Sequence, residues 1–429
     1  MNTLSRLNAL LEFARQHSDF YRKHFHNVAR VVTQPSELPL IDAQDYWHAS
    51  EDLDHWPVLT APIQSALIFK TGGTTSAGKL SVVSHEEWQT LVSDYGGHLT
   101  EQLNPGDRIA NLFFVGDLYA SFIFIHDALA HVQTDITRFP FTGNVDSRVL
   151  ADSIENYRIN VLVGIPAQML TFAGWLEGQS RTLDGITTLL YGGESLFAGQ
   201  LQVLRRVFPN ARVASIGYGS VEAGIIGVCD RDCALGEHRT LERHNLLEII
   251  DEQTGEVIDE CHRTGRLVTT NFTRRLMPLI RYPVGDLGCW REPAGTPMRK
   301  FALMGRSMNS QCVRVSLLSL QIDDIGTIVQ RVTASEDWQM LIDHAQNQDI
   351  LILKWVNDTL IADTAQATAR LRVALLERYP LIESLIAGRQ LDLQVVCCRA
   401  EALSRHPRSG KRRRVLDLRI YDSPAAELP

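Results

Sequence analysis

The chain has 429 residues, more than one hydrophobic core usually serves, so two domains are the better expectation. Its 45% hydrophobic and 21% charged residues describe an ordinary folded protein and exclude a disordered or fibrous one. Lys and Arg total 42 against 50 Asp and Glu, and the formal charge of -8 argues against a protein built mainly to hold nucleic-acid phosphates.

At the N-terminus Leu7, Leu10, Leu11 and Ala14 recur at helical spacing, with Phe20, Tyr21 and Phe25 just beyond, so residues 4–25 read as a helix followed by an aromatic anchor. The stretch lacks the uninterrupted apolar centre and small-residue cleavage site of a signal peptide. No segment reaches the roughly 20 apolar residues of a membrane span. The 7 cysteines, an odd number scattered from Cys229 to Cys398, fit a reducing compartment better than a disulfide framework, and the expected location is the cytoplasm.

From about residue 65 to residue 230 short apolar runs alternate with helical segments. SALIFKT and RIANLFFV precede a helix near 119–130. VLVGIP is followed by a helix from Ala167, then TTLLYGGE, a helix near 198–207, and RVASIGYG. This alternation predicts an α/β domain whose sheet is mostly parallel with helices on both faces, and such sheets bind ligands beyond the carboxyl ends of their strands.

Beyond about residue 235 the strand-like runs NLLEIID, GRLVTTN and PLIRYPVGDLG follow one another without long helices, which predicts an antiparallel or barrel-like β-rich subdomain. After Gly305 the pattern changes again. WQMLIDHAQNQDILILKWV reads as a hairpin, residues 362–378 as a helix and LDLQVVCC as a strand, giving a small α+β domain. The expected division is 1–304 and 305–429.

TGGTTSAGK, from Thr71 to Lys79, follows a strand-like run. Glycines let backbone amides approach an oxyanion and hydroxyls add donors, so such a loop can hold phosphate oxygens. It is not a Walker loop, because the GxxxxGK[ST] spacing is absent, and by itself it is equally a plain turn.

Read together with four later segments, the loop resembles the phosphate loop of the adenylate-forming enzymes, which use ATP to activate a carboxylic acid as an acyl-AMP. YGGES from Tyr191 to Ser195 is similar to that superfamily's Gly-Gly-Glu segment, and YGSVE from Tyr218 to Glu222 to its Y-G-x-T-E. RYPVGD from Arg281 to Asp286 resembles the Y-R-T-G-D ribose motif, and SGK from Ser409 to Lys411 the C-terminal lysine motif. Within the superfamily FARQHSDFYRKHF, PLIRYPVGDLG and RSGKRRRVLD resemble the phenylacetate-CoA ligase branch.

The resemblance implies roles. Thr71, Gly72, Gly73, Thr74 and Thr75 would cradle phosphates, with Lys79 adding positive charge. Gly192, Gly193, Glu194, Tyr218 and Gly219 would line the adenine side. Glu222 would hold Mg²⁺, which helps neutralise the polyphosphate. Asp286 would accept hydrogen bonds from the ribose hydroxyls, and Arg306 would contact ribose or phosphate. Lys411, on a mobile C-terminal lid, would be the catalytic cation that meets the charge building between α-phosphate and carboxylate. The plain alternatives are a turn aspartate at Asp286, a helix-capping Glu222, and a solvated charged loop around Lys411. Phe114, Tyr119, Phe124 and Gly217 are the candidate linings of the acid pocket, with core packing the alternative for the aromatic three.

Several positions depart from the family pattern. Val221 replaces the Thr of Y-G-x-T-E, and a lost hydrogen bond to a charged group costs about 1.5–3 kcal/mol. Val284 replaces the Thr of the ribose motif, the phosphate loop lacks its Pro, and GRSMN puts Met308 at the hinge carboxylate. Val315 stands where the family has glycine in its thioester-forming face. These changes leave adenylation the better-supported half-reaction.

In CDRDCALGEH, Cys229 and Cys233 precede His238, with Cys261 and His262 on another segment. Converging strands would let three or four of these hold Zn²⁺, although the spacing matches no strong zinc signature and reduced thiols are the alternative. Gly236 and His238 also resemble a G-x-H feature of the phenylacetate-ligase branch.

The expected activity is therefore ATP-dependent adenylation of a carboxylic acid, aromatic by preference, followed by transfer to a thiol, CoA first. A second expectation passes the acyl-AMP to a carrier protein, an amine or a reductase partner in a secondary-metabolite pathway, for example of the phenazine type. A third is a nucleotide-binding homologue with weakened turnover. Neither nucleic acid nor membrane is an expected partner; a homodimer is.

Overall fold

The computed structural model describes residues 2–70, 79–306, 312–316, 318–345, 348–357, 364–404 and 414–419. The side chain of Asn2 accepts from the Ser5 amide and opens a helix over Thr3–His17, with Leu7, Leu10, Leu11 and Ala14 on its buried face. The Ser18 hydroxyl then caps a second helix, Asp19–His24, which carries the aromatic anchor. Tyr21 donates its hydroxyl to Pro278 O at 2.7 Å, and Tyr46 donates to the same oxygen at 2.8 Å. The N-terminal region is thereby bolted to the strand Leu279–Trp290, which bears one of the site motifs.

The parallel sheet has five strands in the spatial order Ile136–Pro140, Asp107–Asn111, Val161–Gly164, Thr188–Tyr191 and Arg212–Ser215. Every neighbouring pair is parallel, and the helices Ser121–Ala128, Ser147–Asn156, Pro166–Gly178 and Ala198–Val207 lie between the strands in sequence. Val161–Gly164 and Thr188–Tyr191 are buried at every residue, as strands covered on both faces must be.

One expectation changes. The run Ala66–Lys70 does not join the parallel sheet but pairs antiparallel with Leu80–Ser84, from Ala66 opposite Ser84 to Lys70 opposite Leu80. An apolar run of four residues specifies burial but not its partner. This two-stranded ribbon frames residues 71–78, which lie outside the described residues, and with them the Thr71, Gly72, Gly73, Thr74 and Thr75 assignments.

Of the two β-rich alternatives, the antiparallel one is seen. Seven strands run in the order Asn245–Ile250, Gly265–Asn271, Leu279–Trp290, Lys300–Arg306, Glu237–Thr240, Gly224–Val228 and Tyr218–Ser220. Asp286 sits directly opposite Arg306, beside a register shift that bends the ladder.

From Val313 onward the chain buries a core of its own, built around Trp338, Trp355, Leu371 and Tyr379. Trp338–Ala345 and Gln348–Val356 form the antiparallel hairpin, and Leu391–Cys398 and Val415–Asp417 add parallel strands at its two edges. This unit touches the larger one through a few groups. Gln390 donates its amide to Ala167 O at 3.2 Å and to the Thr171 hydroxyl. The Phe197 ring meets both the His344 imidazole, stacked at 5.3 Å, and the Arg419 guanidinium at 5.4 Å. No helix among the described residues is long and apolar enough to cross a membrane.

Candidate active site

A cavity of about 1320 Å³ opens beyond the carboxyl ends of the parallel strands, where Phe113, Ile165, Gly192 and Ile216 each follow a strand. The antiparallel sheet contributes Tyr218, Gly219, Glu222, His238, Asp286 and Arg306 to its wall. The small unit contributes Asp349, Arg389, Gln390 and Arg419.

At one end Asp286 has both oxygens engaged. Tyr218 donates its hydroxyl to Oδ2 at 2.6 Å, and Arg306 Nε lies 3.1 Å from Oδ1. Burial, reinforced by the Asp286 charge, raises the Tyr218 phenol well above its ordinary range, so the hydroxyl is a permanent donor. A carboxylate has about four lone-pair sites, and these two bonds leave acceptor capacity for further hydroxyls.

Glu222 is buried beside a network of aromatic and cationic groups. Tyr282 directs its hydroxyl at Oε1 across a long 3.5 Å, and Trp47 Nε1 donates to the Tyr282 oxygen at 3.1 Å. Arg274 lies close by, its Nη2 donating to Val82 O at 2.7 Å and to the Ser81 hydroxyl at 3.1 Å. Burial lowers the Arg274 guanidinium, and the nearby Glu87 and Glu222 charges act in the opposite direction. Ser81 in turn donates to Val221 O at 2.9 Å, so the residue that replaces the family threonine is held by its backbone. Lys79 places its ammonium 5.3 Å from the Trp47 ring and lines the same cavity.

The glycines here are set by close approach. A Cβ on Gly192 would stand 2.7 Å from Ile216 Cγ2. Gly217 has φ +152°, and a Cβ there would stand 2.7 Å from the Tyr95 hydroxyl, which donates to Ile216 O. Glu194 lines the cavity and accepts from the Ala167 amide at 3.4 Å, in the first turn of the helix Pro166–Gly178.

The opposite end is aromatic. Trp88 lies 5.1 Å from Phe69 and 5.9 Å from Phe124, and Tyr95 lies 5.0 Å from Phe124. Trp88 satisfies its indole N–H on Asp127 at 2.8 Å. Tyr119 and Phe124 line this end; Phe114 does not, and Phe113 takes its place. Both residues lie in the segment after the strand Asp107–Asn111, where the Phe114 ring packs over Gly143 while Phe113 turns into the cavity. Tyr119 belongs to a rim in which Gly116, Asp117 and Leu118 have φ of +115°, +47° and +63°. Leu118 O accepts the Lys70 amide at 2.9 Å, tying this rim to the last described residue before position 71.

The zinc expectation is corrected. Among the described residues no group of three or more His, Cys, Asp or Glu side chains could hold a metal ion. His238 turns instead into the cavity wall, with Nε2 2.8 Å from the Ser215 hydroxyl. Cys229 and Cys233 face their own loop, Sγ to Asp230 O at 3.6 Å and Sγ to Asp232 Oδ1 at 3.8 Å. His262 Nδ1 is occupied by Arg291 at 2.8 Å. Lys411 and Met308 lie outside the described residues.

Sequence reasoning did not single out Tyr95, Trp47, Tyr282, Arg274 or Ser215. Tyr282 sits inside the RYPVGD run and could have been found there. Trp47 and Tyr95 carry no local signal, because they reach the site only through tertiary packing.

A family model described as AMP-binding enzyme matches residues 12–271. A phenylacetate-coenzyme A ligase of Thermus thermophilus is 30% identical over 96% of this chain and 95% of its own. The indoleacetate–lysine synthetase of Pseudomonas savastanoi is 28% identical over 195 residues, 42% of each chain. Among solved structures, a 2-hydroxyisobutyryl-CoA ligase in complex with its acyl-AMP and CoA superposes with a TM-score of 0.74 at 16% identity, covering 97% of this chain and 89% of that one.

Proposed function

Because the chain belongs to the AMP-binding enzymes, in the phenylacetate-CoA ligase-like branch of the adenylate-forming superfamily, we propose that it activates an aromatic carboxylic acid with ATP and passes the acyl group to CoA. One observation carries the reading: a single cavity joins an end walled by the rings of Phe69, Trp88, Tyr95, Phe113 and Phe124 to an end that presents Asp286 between Tyr218 and Arg306. An aryl ring suits the first and a ribose suits the second.

In this reading the chain divides into 1–304 and a lid, 305–429. The acid's carboxylate oxygen attacks the α-phosphorus of ATP and pyrophosphate leaves. The sulfur of CoA then attacks the acyl carbon, AMP leaves, and the thiol proton goes to solvent. Asp286 holds the ribose hydroxyls, while Gly192, Gly193, Glu194, Tyr218 and Gly219 form the adenine side. Arg306, 3.1 Å from Oδ1, orients Asp286. Phosphate binding by Thr71, Gly72, Gly73, Thr74 and Thr75 and charge stabilisation by Lys411 rest on the motif resemblance alone.

The Glu222 carboxylate suits Mg²⁺, which takes one or two carboxylates and keeps several waters. When bound, the ion supplies charge neutralisation to the polyphosphate. Arg274 nearby limits the charge Glu222 presents without competing for its oxygens.

Acid-dependent pyrophosphate exchange over a panel of aryl and alkyl acids tests the first half. Aryl acids are expected to be the better substrates, and Lys411→Ala is expected to abolish exchange. A preference for long alkyl acids would overturn the aromatic assignment.

The similarity to an indoleacetate–lysine synthetase favours a second reading, transfer to an amine. Val315, where the family pattern has glycine, is fully buried in the core of the small unit, which also bears on the thioester half. Acyl-CoA formation that outpaces amide formation supports CoA; an amide made equally fast with and without CoA supports the amine.

A further inference from the structure

His238 belongs to the strand Glu237–Thr240 and is 3% exposed, with the rings of Tyr218 and Phe301 each 5.8 Å from its own. Burial pushes its imidazolium down to about 3, so the ring is neutral at any working pH and carries a single hydrogen. Its Nε2 lies 2.8 Å from Ser215 Oγ.

The Ser215 hydroxyl accepts the Gly217 amide at 3.1 Å and has one hydrogen to give. Its two possible acceptors are His238 Nε2 at 2.8 Å and Gly217 O at 3.3 Å. The shorter contact favours Nε2 as the acceptor, the arrangement that leaves the ring hydrogen on Nδ1, facing Gly236. Nδ1 faces the Gly236 main chain without reaching full hydrogen-bond geometry.

The segment so gripped is held from every side. The Ile216 amide donates to Tyr191 O at 2.7 Å, Tyr95 donates to Ile216 O, and Ser215 holds the Gly217 amide. The next residue is Tyr218, whose hydroxyl reaches Asp286. Residues 215–218 all line the cavity, between its aromatic and carboxylate ends.

We propose that His238 is a positioning residue of acid activation: as the Nδ1–H tautomer it orients Ser215, and Ser215 fixes the Gly217–Tyr218 main chain that aligns the bound acid with the nucleotide. The proposal deepens the adenylation reading and rests on it. It predicts that the imidazole and the hydroxyl act as one unit and affect the rate of the chemical step more than binding.

The test is pyrophosphate exchange by His238→Ala, Ser215→Ala, the double variant and His238→Gln, whose Oε1 can accept from Ser215. Each alanine variant is expected to lose about tenfold or more in kcat, with KM for acid and for ATP changing less than about threefold. The double variant is expected to be no slower than the slower single one, and His238→Gln to recover most of the loss. Losses that multiply in the double variant, a glutamine no better than alanine, or an effect confined to KM would overturn the proposal.

The ¹⁵N shifts of the His238 ring in the wild-type protein give a readout that needs neither turnover nor a variant that folds. A neutral Nδ1–H ring is expected at pH 7, and an Nε2–H ring sinks the proposal. A wild type that shows no acid-dependent exchange with any acid overturns the adenylation reading instead, with the tautomer result standing on its own.

Discussion

Asp286 is committed to two protein partners, Tyr218 and Arg306, before any ribose arrives. Asp286→Asn keeps its shape but gives up the charge that both partners use and that, in the proposed ribose site, two sugar hydroxyls would use. Exchanging charged for neutral hydrogen bonds is expected to raise KM for ATP about ten- to a hundredfold, with KM for the acid nearly unchanged; steady-state kinetics with each substrate varied in turn checks the split. Gly217→Ala acts by crowding. Its Cβ would press on the Tyr95 hydroxyl at 2.7 Å in a left-handed backbone conformation, so exchange is expected to fall at least about tenfold. Adding Tyr95→Phe removes the obstructing oxygen and is expected to restore part of the rate, whereas no recovery would mean that the backbone conformation alone carries the cost.

At the scale of elements, the strand Leu279–Trp290 is anchored by Arg281, whose Nε meets Glu248 on the strand Asn245–Ile250 at 3.0 Å, both side chains being 5% exposed. Burial raises the Glu248 carboxyl, and Arg281 only partly offsets it. The pair is therefore a poor source of net stability but costly to break. Arg281→Met, which strands the carboxylate, is expected to destabilise the fold by about 3–5 kcal/mol in urea titration, and Glu248→Leu in the same chain to return most of it.

The same strand shows what could be read in advance and what could not. RYPVGD was legible as a motif, and the alternation of apolar runs with helices from VLVGIP to RVASIGYG gave the parallel sheet, because strands buried on both faces have a distinctive composition. Ala66–Lys70 has that composition too, yet pairs in a separate ribbon; partner choice is a property of tertiary packing. By residue type His238 could be a metal ligand or part of a G-x-H feature, and only the strand Glu237–Thr240, which buries His238 and Thr240 and leaves Glu237 and Arg239 less covered, turns it toward Ser215. Phe113 lines the cavity while Phe114 packs against the core, the alternative its residue type also allowed. Tyr95, Arg274 and Trp47 lie far in sequence from every motif, and chain order gives no warning that they converge.

For the molecule as a whole, two buried histidines contribute to the response to acid. His244 is 1% exposed at its side chain and bonded to Asp94 at 2.7 Å, yet burial outweighs the carboxylate and lowers its pKa, as burial alone does for His238. Both native-state values lie below the ordinary value of about 6.5, so on acidification the unfolded chain takes up protons first. The stability these rings contribute is complete above about pH 6.5 and is lost progressively below it, by up to about 1.4 kcal/mol per pH unit for each. Urea midpoints at pH 7, 6 and 5 are expected to fall in that order, and His238→Gln to flatten the trend; an unchanged slope would show that the ring is not neutral in the native protein.

The bond from the Lys70 amide to Leu118 O joins two places with separate duties. One of its ends is the last residue of the strand Ala66–Lys70, the other lies in the collar of positive-φ residues beside Tyr119 at the aromatic end of the cavity. In the proposed activity, an ill-fitting acid that displaces Tyr119 would pull on that collar, and the strain would be delivered to Lys70, from which the chain runs directly into the phosphate motif. Discrimination between acids is then felt in turnover as well as in occupancy: a misfit would enter, be held, and still leave unreacted.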